Sequence, residues 1–96
     1  MSLDVDAFEA CLNQAFALTD GDYRDEFELI SVDRLAGADV TGEHKQAFSL
    51  VFQSRGNAIL EQRIYTLDNA ELGELQIFLV PIGKDEAGVR YEAVFS

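Results

Sequence analysis

The stretch LGELQIFLVPIG, residues 72–83, decides how this sequence folds. Leu75, Ile77 and Leu79 alternate on one side, and Phe78, Val80 and Ile82 alternate on the other. Period-two alternation marks a strand, because successive side chains point to opposite faces. Apolar residues on both faces predict a central or fully covered strand. Pro81 lacks the N–H a ladder needs, so its end of the strand is expected at an edge or a bulge.

Working outward from it, Gly83 to Gly88 reads as a hairpin loop, followed by a last strand in which Val89, Tyr91, Ala93 and Phe95 alternate. Upstream, Asp68 to Gly73 is a connection anchored by Leu72, and Arg63 to Leu67 is a short strand. Gln46 to Ser54 sets Phe48, Leu50 and Phe52 on one face with Ser49 and Gln53 opposite, until Arg55-Gly56-Asn57 breaks it. Gly37 to Lys45 is a polar loop. Phe27 to Leu35 places Phe27 and Leu29 on one side, Ile30 and Val32 on the other. Asp20-Gly21-Asp22 is a turn, since Gly accepts positive φ and Asp bonds to its own following amides.

At the N-terminal end, Leu3, Ala7, Phe8, Cys11, Leu12, Ala15 and Phe16 recur at three- and four-residue spacing, which predicts a helix capped by Ser2 or Asp4. Asn13-Gln14 is its weakest pair, so Ala15 to Thr19 reads either as its end or as a first strand. No connection in the chain is long enough to hold a crossover helix, so the strands must pair antiparallel. The expectation is a single domain over residues 1–96, mainly β: a small antiparallel barrel or strongly curled sheet of five to six strands, with one N-terminal helix plugging an end. Phe48, Leu50, Phe52, Ile77, Leu79 and Phe95 are its expected core.

Ninety-six residues suit one core, and 48% apolar content with seven Phe and three Tyr can fill it. Eighteen acids against seven bases give a net charge of −11, unevenly spread. Residues 1–48 hold eleven acids and three bases (−8); residues 49–96 hold seven and four (−3). Such a surface repels phosphate backbones and anionic membranes, which argues against nucleic-acid and membrane partners. One cysteine allows no internal disulfide, and Met1 to Asp6 carries acids where a signal peptide carries positive charge. A cytoplasmic location is expected.

FSLVF (48–52), QRIYTL (62–67), LGELQIFLVPIG (72–83) and YEAVF (91–95), in this order, resemble a family of small, uncharacterised, β-rich bacterial proteins, a domain of unknown function. FEACLNQAFAL (8–18) is similar to that family's opening helix and strand, although the family tends to carry Gly where this chain has Asn13. After the Phe48 strand the family's Gly-Pro turn is replaced by Arg55-Gly56-Asn57. The resemblance implies an all-β domain without assigned catalytic residues. Its members' genes often stand near those of phage-tail-collar-like proteins, which implies an accessory or assembly role.

The residues themselves nominate no enzyme. Cys11 sits on the apolar stripe among acids, which disfavours a thiolate. His44 is the single histidine, in a polar loop, and no nucleophile elbow accompanies it. One His and one Cys cannot build a zinc site. Asp20, Asp22, Asp25 and Glu26 fail the calcium-loop pattern at Arg24, Asp25 and Ser31. Phosphate-cradling glycine motifs are absent, and Phe48, Phe52 and Tyr65 lack the basic groove of a single-strand binder. No cofactor is expected. Arg55, Arg63 and Arg90 are expected to pair with Glu61, Glu74 or Glu92, or to meet a partner. The reading is a non-catalytic interaction or assembly module; the alternative is a small barrel binding an apolar ligand. Because Val89 to Phe95 is the terminal strand, it is expected to leave an edge unpaired for a protein partner or a second copy, with Arg63, Arg90 and Tyr91 as contacts.

Overall fold

A computed structural model of the chain describes residues 4–35 and 47–95. The polar loop with His44, the cap candidate Ser2, and Leu3 of the helix stripe lie outside the described residues. The elements are α1 (Val5–Glu9), β1 (Ala15–Asp20), β2 (Tyr23–Arg34), β3 (Phe48–Gln53), β4 (Arg63–Asn69), β5 (Gly73–Asp85) and β6 (Gly88–Phe95). The strands close into a barrel in the order β1-β2-β3-β6-β5-β4, every neighbouring pair antiparallel. The mainly-β expectation therefore holds in its closed form.

Closure corrects one expectation. β6 is hydrogen-bonded to β3 on one side (Phe48↔Phe95 to Gln53↔Arg90) and to β5 on the other (Val80↔Glu92 to Asp85↔Gly88). The C-terminal strand is therefore a member of the ring with a neighbour on each side, not an edge strand: β3 pairs Arg90 to Phe95, and the β5 ladder covers Gly88 to Glu92.

Helix α1 is shorter than its apolar stripe. Asp4 caps it, its Oδ1 accepting from Ala7 N–H at 3.0 Å. Asn13 then adopts φ 70°, a left-handed conformation that Asn tolerates better than most residues, and turns the chain into β1. Its N–H donates to Leu29 O at 2.7 Å, and Leu29 N–H donates to Gln14 O at 3.2 Å, tying the helix end to β2. Beyond this point strand alternation takes over: Phe16 and Leu18 are buried, whereas Leu12 and Ala15 of the stripe are exposed.

Two bulges shape the barrel. Between Leu29 and Ser31 the β2–β3 register shifts by one, leaving Ile30 outside and returning Val32 to the core side opposite Leu50. Val32 therefore joins Phe27 and Leu29 rather than facing away from them. Between Pro81 and Gly83 the β5–β6 register shifts likewise, with Ile82 the extra residue. Pro81 thus borders a bulge, one of the two places its missing donor allows.

Inside, Phe16, Phe27, Leu29, Leu50, Phe52, Leu67, Leu79 and Tyr91 are fully buried. Phe16 meets Phe52 edge-on at 5.2 Å, and Phe27 stacks on Tyr91 at 5.1 Å. At the helix end, Phe48 and Phe95 stack at 4.8 Å and Phe8 leans on both. Of the expected core, Phe95 alone is only half-buried.

In the ring, β3 and β4 stand diametrically opposite, so the connection 54–62 must cross the end of the barrel away from α1. Polar contacts pin it there. Arg55 and Gly56 N–H donate to the Asp25 carboxylate at 3.3 and 3.2 Å, and Ser54 exchanges bonds with Val89 at 2.8 and 3.0 Å. Leu60 N–H donates to the Tyr91 hydroxyl at 2.9 Å, and the Tyr65 hydroxyl donates to Glu61 O at 2.7 Å. Gly88 makes the approach possible: a Cβ there would lie 2.3 Å from Ser54 O.

Candidate functional site

The proposed contact residues do not form one surface. Tyr91 is 1% exposed, its ring inside the barrel and its hydroxyl committed to Leu60 N–H and Ala58 O. Burial pushes its phenol above the usual range, with the Leu60 bond opposing the rise. A partner cannot reach it without opening the barrel, so Tyr91 is corrected from a contact to a core residue.

Arg63 and Arg90 are exposed or half-buried, and both already have anions. Arg63 opens β4 beside the end of β1 and pairs with Asp20 while lying 4.6 Å over the Tyr65 ring. Arg90 pairs with Asp85 across the β5–β6 hairpin at 3.1 Å. Arg55 reaches Glu26 at 3.3 Å. None of the three takes Glu61, Glu74 or Glu92, because the barrel register brings β1, β2 and the hairpin end nearer than those acids.

The acids of the β1–β2 turn are structural where the geometry defines them. Asp25 lies on β2, and its carboxylate accepts from Glu26, Arg55 and Gly56 N–H and from the Tyr23 hydroxyl. Cys11 is buried at the end of the helical turn, its Sγ 3.7 Å from Asn69 Oδ1 and 3.9 Å from Glu71 Oε2. Desolvation first, and Glu71 second, push its thiol up. Asn69 is itself buried, donating to Gln14 Oε1 and Ala15 O and accepting from Glu71 and Leu72 N–H. This cluster knots the helix end to the β4–β5 turn; a protonated thiol there is a packing group.

The outer face of β4, β5 and β6 is different in kind. Ile64 (58% exposed) lies directly across from Phe78 (50%), and Ile82 (50%) follows two pairs of residues along β5. Val94 (60%) is exposed on β6 two residues past Glu92, where the β5–β6 ladder ends, on the same outward parity as Glu92. Of the apolar residues on the second face of β5, expected to be covered, Phe78 and Ile82 stand exposed and Val80 between them is half-buried. The areas of Ile64, Phe78, Ile82 and Val94 sum to on the order of 400 Å², the size of the largest patch on an ordinary monomer, which is often functional. The sequence signal for this face was the two-sided pattern of residues 75–82; what it lacked was the register that sets Ile64 beside Phe78. No helix among the described residues is long and apolar enough to cross a membrane.

Residues 3–95 match a family described as a domain of unknown function, DUF6916, and the chain belongs to that family. The match spans the helix and all six strands. No curated protein and no solved structure matches the chain.

Proposed function

We propose that this member of the family is a non-catalytic interaction module, an accessory to assembly, that works through the outer face of β4, β5 and β6. The observation that carries the reading is the exposed row of Ile64, Phe78 and Val94, extended along β5 by Ile82. Keeping four large apolar side chains in water forgoes about 1.5 to 3 kcal/mol of burial for each, which a partner surface would recover. The rest of the molecule supports a surface role. Rings and aliphatic side chains pack the interior, and the helix and the connection 54–62 lie over its two ends. An accessory role in assembly is also what the family resemblance implies.

Photo-crosslinking in the source cell tests the proposal. A crosslinkable residue at Ile64, Phe78 or Val94 should give one discrete heavier adduct. The same residue at Glu28, on β2 diametrically across the ring, should give none, and Phe78→Glu should abolish the adduct. Adducts of equal yield at all four positions, or at none, rule the surface out.

A further inference from the structure

On the reading of this face as a docking surface, its charges define what it takes. Asp68 and Glu74 face each other directly across β4 and β5, both exposed on the same outer face as Ile64 and Phe78. Like charges directly opposite each other destabilise a sheet. Among the described residues neither has a cation in ion-pair range, and neither does Glu92 beside Val80; Arg34, Arg55, Arg63 and Arg90 are all engaged elsewhere. From the Ile64–Phe78 pair to the Asp68–Glu74 pair is four residues along each strand, or about 13 Å at strand rise.

We infer that this face takes a segment of another protein in which apolar side chains are followed, about 13 Å further on, by Lys or Arg. The apolar side chains would cover Ile64, Phe78 and Val94, and the cation would sit between Asp68 and Glu74, relieving a repulsion that no ion pair among the described residues relieves. A second copy fits poorly on two counts. It brings the same carboxylates and a net charge of −11 to the contact. The apolar patch, on the order of 400 Å², is also about half of what one side of a standard stable interface buries. A basic segment supplies the missing area with charge-assisted contacts at the rim.

Titration of the isotopically labelled protein with three short synthetic peptides, followed by NMR, tests this. All three carry the same alternating Leu and Ile; the apolar part is followed by Lys and Arg in one, by Glu in the second and by Gln in the third. The Lys/Arg peptide is expected to shift the amides of Ile64, Phe78, Val94, Asp68 and Glu74, and to bind several-fold more weakly at 200 than at 50 mM salt. The double variant Asp68→Asn, Glu74→Gln should lower its affinity about fivefold, with the remaining spectrum unchanged. If all three peptides shift the face equally and the double variant changes nothing, the face still docks partners but the basic occupant is wrong. Shifts confined to the acidic strand β2, or sedimentation showing a dimer that Phe78→Ser dissolves, overturn the inference. The first of these also removes the docking reading; the second keeps the face and replaces the occupant by a second copy.

Discussion

Replacing Tyr91 by Phe isolates what holds the connection 54–62 over the barrel end. The ring stays stacked on Phe27, 5.1 Å away and 14° from parallel, so packing is kept and only the hydroxyl is lost. Two backbone groups then lose a partner. Leu60 N–H loses a bond of 2.9 Å, and Ala58 O loses a long one of 3.4 Å that contributes little. An orphaned buried donor costs about 1–3 kcal/mol; Leu60 is only half-buried, so water meets part of the loss and about 1–2 kcal/mol is expected. In a domain of this size that lowers the thermal midpoint by roughly 4–16 °C. Urea unfolding followed by circular dichroism reads the global cost, and native-state hydrogen exchange reads its location. Leu60 and its neighbours should exchange faster by more than the global change explains. A cost below about 0.5 kcal/mol with unchanged exchange at Leu60 would show that the connection does not hang on this hydroxyl.

Leu79→Ala empties a fully buried site on β5 and should cost about 2–5 kcal/mol in the same unfolding assay; a near-neutral result would contradict its place in the core. Asn13 holds φ 70°, so Asn13→Gly should be neutral or stabilise by up to about 1 kcal/mol, and Asn13→Val should destabilise by about 1–2 kcal/mol; the reverse order would contradict the left-handed turn. The Cys11 thiol is raised from its ordinary value of 9.0, mainly by burial. The unfolded chain therefore releases that proton first, so its contribution is complete below about pH 9 and is lost as pH rises from there through the folded value. The urea midpoint should fall above about pH 9 and fall less steeply in Cys11→Ala; equal slopes would exclude the thiol as a source.

How much of this was legible in the sequence divides along one physical line. Strand alternation needs only local parity, so β3, β5 and β6 and their inward residues could be read directly, and Pro81 marked an edge or a bulge, of which the structure has the bulge. Parity fails at a bulge: local alternation puts Val32 on the face of Ile30, and Ile30 is the extra residue that flips it. The end of the helix stays open in the sequence, because three- and four-residue spacing through Phe16 also fits the first strand read at Ala15 to Thr19, in which Phe16 and Leu18 both point inward; that second reading is the one the structure has. Ring closure is a long-range property: nothing local to Val89–Phe95 says that β3 will occupy its free side. Tyr91 was misplaced for that reason, since a residue on an edge strand and one inside a barrel share the same alternating pattern.

The same limit explains why the candidate surface was visible as a pattern and not as a surface. Phe78, Val80 and Ile82 read as a second apolar face, and a second apolar face has two solutions: the chain covers it, or another chain does. Antiparallel sheets commonly leave one face to water, and there the outward positions are polar. On the first half of β2 they are, with Arg24, Glu26 and Glu28 pointing out, and β1 sets only the small Ala15, Ala17 and Thr19 there. β5 departs from that rule at three successive outward positions, and β4 joins it with Ile64 at the one place the register makes them neighbours. An apolar face arising by chance has no reason to align across strands. Its alignment, beside a carboxylate pair that nothing in the described chain neutralises, is what ties the outer face to a partner rather than to the fold.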